Sequence, residues 1–379
     1  MLDDPGLDTD RLRAALADCY GVVAVEIRFL PLGYDFAAAV YRVAAADRPY
    51  FLKVRFGPPI LPALAVPTAL RNRGIGEVLA LLPTRDGAFW APLGDPPSGD
   101  RWRGDALLVL YPWIDGRDAM TAGMTPDQWR AFGRALRAVH DSGLAPTFRD
   151  RLRTEAFDLP SAADVRRATD LLADGAVNAR SLASAAGSGA PAPAPAGSGA
   201  DAGVVDSPAA RRFAAVWRAH AGRIAAALAR AHELGRALAA RPRQDVLCHG
   251  DIHAANVLVG DDGRIHLIDW DGPLLAPRER DLLFVVGSRI ARRVLPEEEA
   301  AFFAGYGPVA IDPDALRFFR YERLLEDLGA FAREVLLDPA PSEQTRAEAT
   351  DLVAAFFAPN GDLDAAETVV LPQFRGIDS

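Results

Sequence analysis

The stretch from Val246 to Asp271 reads VLCHGDIHAANVLVGDDGRIHLIDWD, and its reading decides the fold. Within it, VLVGDDGRIHLID has the form strand, tight turn, strand, with two short apolar runs flanking an Asp-Gly turn. A hairpin brings its two ends together. Asp251 and Asn256 lie before the first strand and Asp269 just after the second, so the fold-back places three oxygen-bearing side chains around one point.

That set suits phosphoryl transfer, which needs a carboxylate near the attacking hydroxyl, hard oxygen ligands for Mg²⁺, and a cation on the phosphates. Asp251 fits the first role. Asn256 and Asp269 fit the second, offering a carbonyl and a carboxylate. The pattern H-x-D-h-x-x-x-N from His249, followed by an aspartate after two short strands, is the arrangement of a protein-kinase catalytic loop and its metal-binding aspartate. Cys248, His249, Asp251 and His253 also crowd nitrogen, sulfur and oxygen donors together, but zinc would draw on a second ligand pair elsewhere and none is evident. His249 is better suited to bracing the loop. His140, His220, His232 and His266 carry no motif, and ordinary structural roles are expected for them.

Outward from this stretch, 379 residues of which 50% are hydrophobic suffice for two domains or one large bilobal unit. The MLDDPGLD start has no basic or apolar region of a secretory signal, no run approaches the roughly 20 apolar residues of a bilayer span, and the two cysteines are too few for a disulfide scaffold. A cytoplasmic protein is expected. The formal charge of -9 argues against nucleic acid or an anionic membrane as partner and favours a small cationic molecule. Among the 42 basic residues, Lys53 is the single lysine. In a chain that otherwise uses arginine, a compact ammonium suits phosphate oxygens in a tight space.

Toward the N-terminus, apolar residues recur at helical spacing from Leu7 to Tyr20, and β-type runs follow at Val22 to Phe29, Ala37 to Val43 and Tyr50 to Val54. A helix around Leu64 to Arg73 and extended pieces near Phe89 and from Ala106 to Tyr111 complete a small sheet. After Pro112 the pattern turns helical, at Pro126 to His140, Ala209 to Ala239, Glu297 to Gly305 and Pro313 to Leu337. These elements predict a small sheet followed by a mostly helical part, and together with the kinase-type loop pattern they are read as an α+β, bilobal, protein-kinase-like fold. Residues 1–111 would form an antiparallel-sheet nucleotide lobe and 112–379 a helical lobe carrying the catalytic loop and acceptor site. The Ala/Gly/Pro/Ser tract at 181–203 is expected to be a disordered insertion. LLVLYPWIDG, with Tyr111 and Trp113, would join the two lobes and present main-chain groups to adenine.

The sequence resembles the aminoglycoside phosphotransferases and related choline-kinase-like enzymes, in the H-x-D-x-x-x-x-N loop. It is most similar to their spectinomycin branch in VLCHGDIHAANVLVG, in IDWDGPLLAPRERDLLF, and in GYG with RYERLLEDL. The resemblance implies ATP as donor, Asp251 as catalytic aspartate, Asn256 and Asp269 as Mg²⁺ ligands, and Lys53 on the α/β-phosphates. It also implies that Gly33, Tyr34 and Asp35 cover the nucleotide and that Asp281 is a structural anchor.

Two departures stand out. LPALAVPTALRNRG after the lysine strand holds no acidic residue to orient Lys53, Glu77 lies beyond its end, and the phosphate loop lacks G-x-G-x-x-G. Asp271 is expected at the metal, at an amine of the acceptor, or in a turn before Gly272. Glu322 and Glu326, one helical turn apart, repel one another unless a cationic ligand sits between them or the face is simply solvated. An acceptor such as choline or an amino sugar would instead use Trp270 and Tyr306 as an aromatic enclosure. A nucleotide-binding sensor without turnover is the alternative from a different class.

Overall fold

A computed structural model describes residues 4–31, 37–94, 105–173 and 205–372. Gly33, Tyr34 and Asp35 and the 181–203 tract lie outside these residues. The chain forms two compact units. One comprises Met1–Thr154, Asp245–Asp281 and Glu297–Pro308; the other comprises Glu155–Gln244, Leu282–Pro296 and Val309–Ser379.

The first unit is built on a five-stranded antiparallel sheet of β1 (Ala24–Leu30), β2 (Ala38–Ala45), β3 (Pro49–Phe56), β4 (Ala91–Gly94) and β5 (Ala106–Pro112), in the order β1-β2-β3-β5-β4. Along β3 every second residue is buried, so Tyr50, Leu52, Val54 and Phe56 point into a core with Leu12, Leu16, Val43 and Leu108. Lys53 therefore faces the other way. It pairs with Val109 on β5, on the face where Val109 packs with Leu64 of the Leu61–Asn72 helix. That helix starts earlier than the apolar spacing suggests, because Pro62 fits the first turn, where its missing N–H has no partner to lose.

The same unit holds β6 (Gly116–Asp118), β7 (Val246–Cys248), β8 (Val257–Gly260), β9 (Ile265–Leu267) and β10 (Leu274–Ala276). Strands β8 and β9 form the expected hairpin, with β6 on its other edge, and β7 pairs with β10. The Pro126–His140 helix begins at a capping box in which Thr125 and Gln128 satisfy each other's amides.

The second unit is helical. Pro313–Leu336 packs against Pro208–Ala239 and Ala162–Ala173, and Glu343–Phe356 and Asp362–Glu367 add to it. Its core is aromatic: Phe157 meets Phe318 edge to face at 5.3 Å, and Phe213 stacks on Trp217 at 5.6 Å. Trp217 satisfies its indole N–H on Thr169. Among the described residues no helix is long and apolar enough to cross a membrane. An antiparallel sheet in the N-terminal region with a helical C-terminal part is the α+β architecture expected from the sequence.

Candidate active site

Asp251 is fixed by its own loop. Strand β7 ends at Cys248, and Gly250 then turns the chain at φ +90°, where a Cβ would lie 2.6 Å from the Gly272 carbonyl oxygen. Only glycine takes this turn without strain. The next amide, Asp251 N–H, donates to His249 Nδ1 at 3.3 Å, while His249 Nε2 lies 2.9 Å from the Ile268 carbonyl and must donate to it. One neutral tautomer satisfies both contacts. Burial lowers the His249 pKa, in agreement with the neutral ring. His249 thus ties the start of the catalytic loop to the residue preceding Asp269.

Asn256 closes the loop from the other side. Its side-chain amide donates to the Asp251 carbonyl at 2.8 Å, and its own carbonyl accepts from Ile268 N–H at 3.0 Å. The amide nitrogen is committed, so the side-chain oxygen is the atom Asn256 offers to a ligand. His253 caps the short Ala254–Asn256 turn through Nδ1, and its Nε2 lies 3.5 Å from the Asp251 carboxylate.

Asp269 adopts φ 61°, a conformation uncommon for a residue with a side chain. Burial raises its pKa, the Asp271 charge raises it further, and Lys53 acts in the opposite direction. Asp251, Asp269 and Asp271 together bring three negative charges against one lysine. That imbalance, with a carboxylate and an amide oxygen as hard donors, fits a divalent cation of the magnesium class held by Asn256 and Asp269.

Asp271 settles what holds the lysine. Lys53 Nζ donates to Asp271 Oδ2 at 2.8 Å. The Leu61–Asn72 helix is without an acidic residue, as its sequence indicates. Lys53, Asp271 and Tyr111 line one depression of about 380 Å³, together with Leu64, Trp90 and Val109. Tyr111 packs edge to face on Phe51, and its hydroxyl pKa is pushed up by burial and by the charges of Asp271 and Asp269. Trp113 donates to Asp115 at 2.7 Å and lies under Arg42. Trp270 is buried against the His249 ring and donates to the Leu267 carbonyl, and Tyr306 is buried as well. Both rings are engaged in packing and hydrogen bonds within the first unit.

Asp281 anchors the loop from beneath. Fully buried, it accepts the amides of His249 and Gly250, each at 2.8 Å. Burial would raise its pKa, but His140, His249 and the Gly250 amide outweigh burial and bring it below the usual carboxylate value.

In the helical unit, Glu322 is buried and Glu326 exposed. The neighbouring turn presents a different acid: Asp327 lines a depression of about 390 Å³ with Arg323, Leu324, Arg289, Phe356 and Asp362. Burial pushes the Asp327 pKa up to about 6, more than Arg323 at 3.3 Å brings it down. Sequence reading missed Asp327 and Asp362. The i, i+4 charge spacing points to Glu322 and Glu326, whereas only the approach of the 283–290 segment and Phe356 selects the position one residue on.

The sequence profile described as the phosphotransferase enzyme family matches residues 26–319. A search of curated proteins finds no match. Among solved structures, a spectinomycin phosphotransferase in complex with ADP and spectinomycin is similar over 96% of this chain and 98% of that one, with 24% identity and a TM-score of 0.75. An amicoumacin kinase bound to AMP-PNP and Ca²⁺ is similar over 95% of this chain and 93% of that one, with 16% identity and a TM-score of 0.58. The profile match spans most of the sequence and includes the whole loop around Asp251, and on that ground the chain belongs to the phosphotransferase enzyme family.

Proposed function

We propose that the protein transfers the γ-phosphoryl group of ATP to a hydroxyl of a cationic aminocyclitol, with spectinomycin the first candidate, and that the product is an inactivated antibiotic in the cytoplasm. The observation that carries the reading is the gathering of Asp251, Asn256, Asp269 and Lys53 in one unit around an unbalanced negative charge. In this reading residues 1–111 serve as the nucleotide lobe, with Gly33, Tyr34 and Asp35 over the phosphates and the main chain near Tyr111 and Trp113 against adenine.

Each residue has a task the chemistry requires. Lys53 directs its ammonium at the α/β-phosphates. Asp251, held by His249 and Asn256, orients the acceptor hydroxyl and accepts its proton as the oxygen attacks. Asn256 and Asp269 hold Mg²⁺, which supplies charge neutralisation on the transferring phosphoryl group. For the acceptor's ammonium groups, the carboxylates that the sequence offers are Glu322 and Glu326. The like-folded enzyme crystallised with ADP and spectinomycin supports the choice of acceptor.

The test is purified protein with Mg²⁺ and ATP against a panel of aminocyclitols, aminoglycosides and choline, with the phosphorylated product read by mass spectrometry. Phosphorylated spectinomycin is the expected result. Transfer to choline alone would move the acceptor, and failure to bind ATP would overturn the reading.

A further inference from the structure

His140, on the last turn of the Pro126–His140 helix, is buried and touches neither Asp251 nor any residue of the Asn256–Asp269 set in the described contacts. Its two ring nitrogens are nevertheless both engaged. Nε2 lies 3.0 Å from Asp281 Oδ2, the oxygen that also accepts the His249 amide, and Nδ1 lies 2.6 Å from the Tyr306 hydroxyl.

Donor and acceptor directions follow from the end of the chain. Asp281 is an ionised carboxylate and only accepts, so His140 Nε2 carries a proton and donates. In the neutral ring Nδ1 then has a bare lone pair, and Tyr306 O–H donates to it. The Tyr306 oxygen in turn accepts from Arg278 Nη1 at 3.5 Å, which leaves its own proton to point at His140. Arg137 lies over the Tyr306 ring at 5.5 Å, and Phe302 stacks beneath at 5.5 Å. The result is a directed series, Arg278 to Tyr306 to His140 to Asp281, ending on the backbone amides of His249 and Gly250, next to Asp251.

The same neighbourhood brings His140, Cys248 and Asp281 ligand atoms within 4.8 Å of one another. A metal is the wrong reading of that trio. Burial pushes the Cys248 thiol up, and its sulfur lies within reach of the Ala276 and Pro277 carbonyls, at 3.6 and 3.7 Å, so it stays a protonated weak donor.

We infer that His140 and Tyr306 are positioning residues for phosphoryl transfer: through Asp281 they fix the backbone at His249 and Gly250 and so the direction of the Asp251 carboxylate. The inference rests on Asp251 being the group that receives the acceptor hydroxyl. A buried carboxylate with two amides and one imidazole has a single satisfied arrangement, whereas one lacking the imidazole can shift to re-solvate. A displacement well under 1 Å at the amides then reaches the reacting oxygen.

Tyr306→Phe keeps the ring stacking and removes only the hydroxyl, so the fold should hold. The expected effect is a fall in kcat of about tenfold with KM for ATP unchanged within about twofold. His140→Gln keeps a donor in the Nε2 position and should retain more turnover than His140→Leu. Nitrogen-15 NMR of the full-length wild-type protein, without substrate, should show His140 protonated on Nε2 and bare on Nδ1, and Tyr306→Phe should perturb the Nδ1 signal. Full kcat in Tyr306→Phe, equal losses in the Gln and Leu variants, or a ring protonated on Nδ1 and bare on Nε2 would overturn the inference. Asp251→Ala separates it from the kinase reading: normal turnover there removes the base from Asp251, while the NMR result on His140 stands independently.

Discussion

Lys53 Nζ donates to Asp271 Oδ2 at 2.8 Å, so the single lysine of this chain is oriented by the second aspartate of its DWD sequence. The two side chains are 19% and 42% exposed. An ion pair so open to water contributes about 1 kcal/mol or less to folding, which makes its consequence geometric. With no carboxylate on the Leu61–Asn72 helix, the direction of the ammonium depends on a residue only two positions after Asp269.

Removing that partner should therefore act on nucleotide use more than on stability. Asp271→Asn is expected to raise KM for ATP about 5- to 20-fold with little change in Tm, and Lys53→Arg to impair ATP use despite keeping its charge. A double-mutant cycle of Lys53→Met with Asp271→Asn should be strongly non-additive. Independent, additive losses would mean that the pair does not work as a unit.

Asp251→Ala should lower turnover by about 10²- to 10⁴-fold, the usual range for a positioned acid/base group, while ATP affinity stays near wild type. Isothermal titration with ATP and single-turnover phosphorylation measure the two quantities separately. Near-normal single-turnover rates would place the base elsewhere, with His253 at 3.5 Å from Asp251 the first residue to examine.

The catalytic stretch was legible because its information is local. An Asp-Gly turn between two apolar runs specifies the hairpin, which brings Asn256 beside Ile268 and Asp269, and Asp251 is tied to them through His249 and Asn256. The lone lysine was legible as an exception in composition. What holds it was not, because Lys53 and Asp271 are 218 residues apart and only the pairing of β3 with β5 turns Lys53 away from the sheet's main core. The sequence suggests only a structural place for His140 for the same reason: its partners lie 141 and 166 residues away, and a lone histidine at the end of an amphipathic helix carries no local signal. The helices Ala162–Ala173 and Glu343–Phe356 are not evident from apolar spacing because they bury few large apolar side chains: Val165 and Leu172 with two alanines on the first, and Val353 with Arg346, Ala349 and Thr350 on the second.

Stability should fall in two steps on acidification. His249 has a folded pKa below its unfolded value of about 6.5, so the unfolded state takes up the proton first and stability is lost as pH drops through that range. Asp281 also has a lowered folded pKa; its contribution is complete above the unfolded value of about 4 and is lost as pH falls further. Urea midpoints between pH 8 and 3 would resolve both steps, and His249→Gln should remove the upper one. An unchanged slope between pH 7 and 5.5 in that variant would assign the upper step to another group.

Asp327 should behave in the opposite sense. Its folded pKa of about 6 lies above the unfolded value of about 4, so the folded state binds the extra proton and the ionised carboxylate is a net destabilising group above pH 6. That penalty fades as pH falls from 6 to 4. A rise from about 4 to about 6 corresponds to at most about 3 kcal/mol, and with the side chain 31% exposed and paired to Arg323 about 1 kcal/mol is the expectation. Asp327→Asn should thus be more stable than wild type at pH 8 and equal to it at pH 4, as read from urea midpoints. A variant less stable than wild type at pH 8 would show that the Arg323 pair outweighs the burial of the charge.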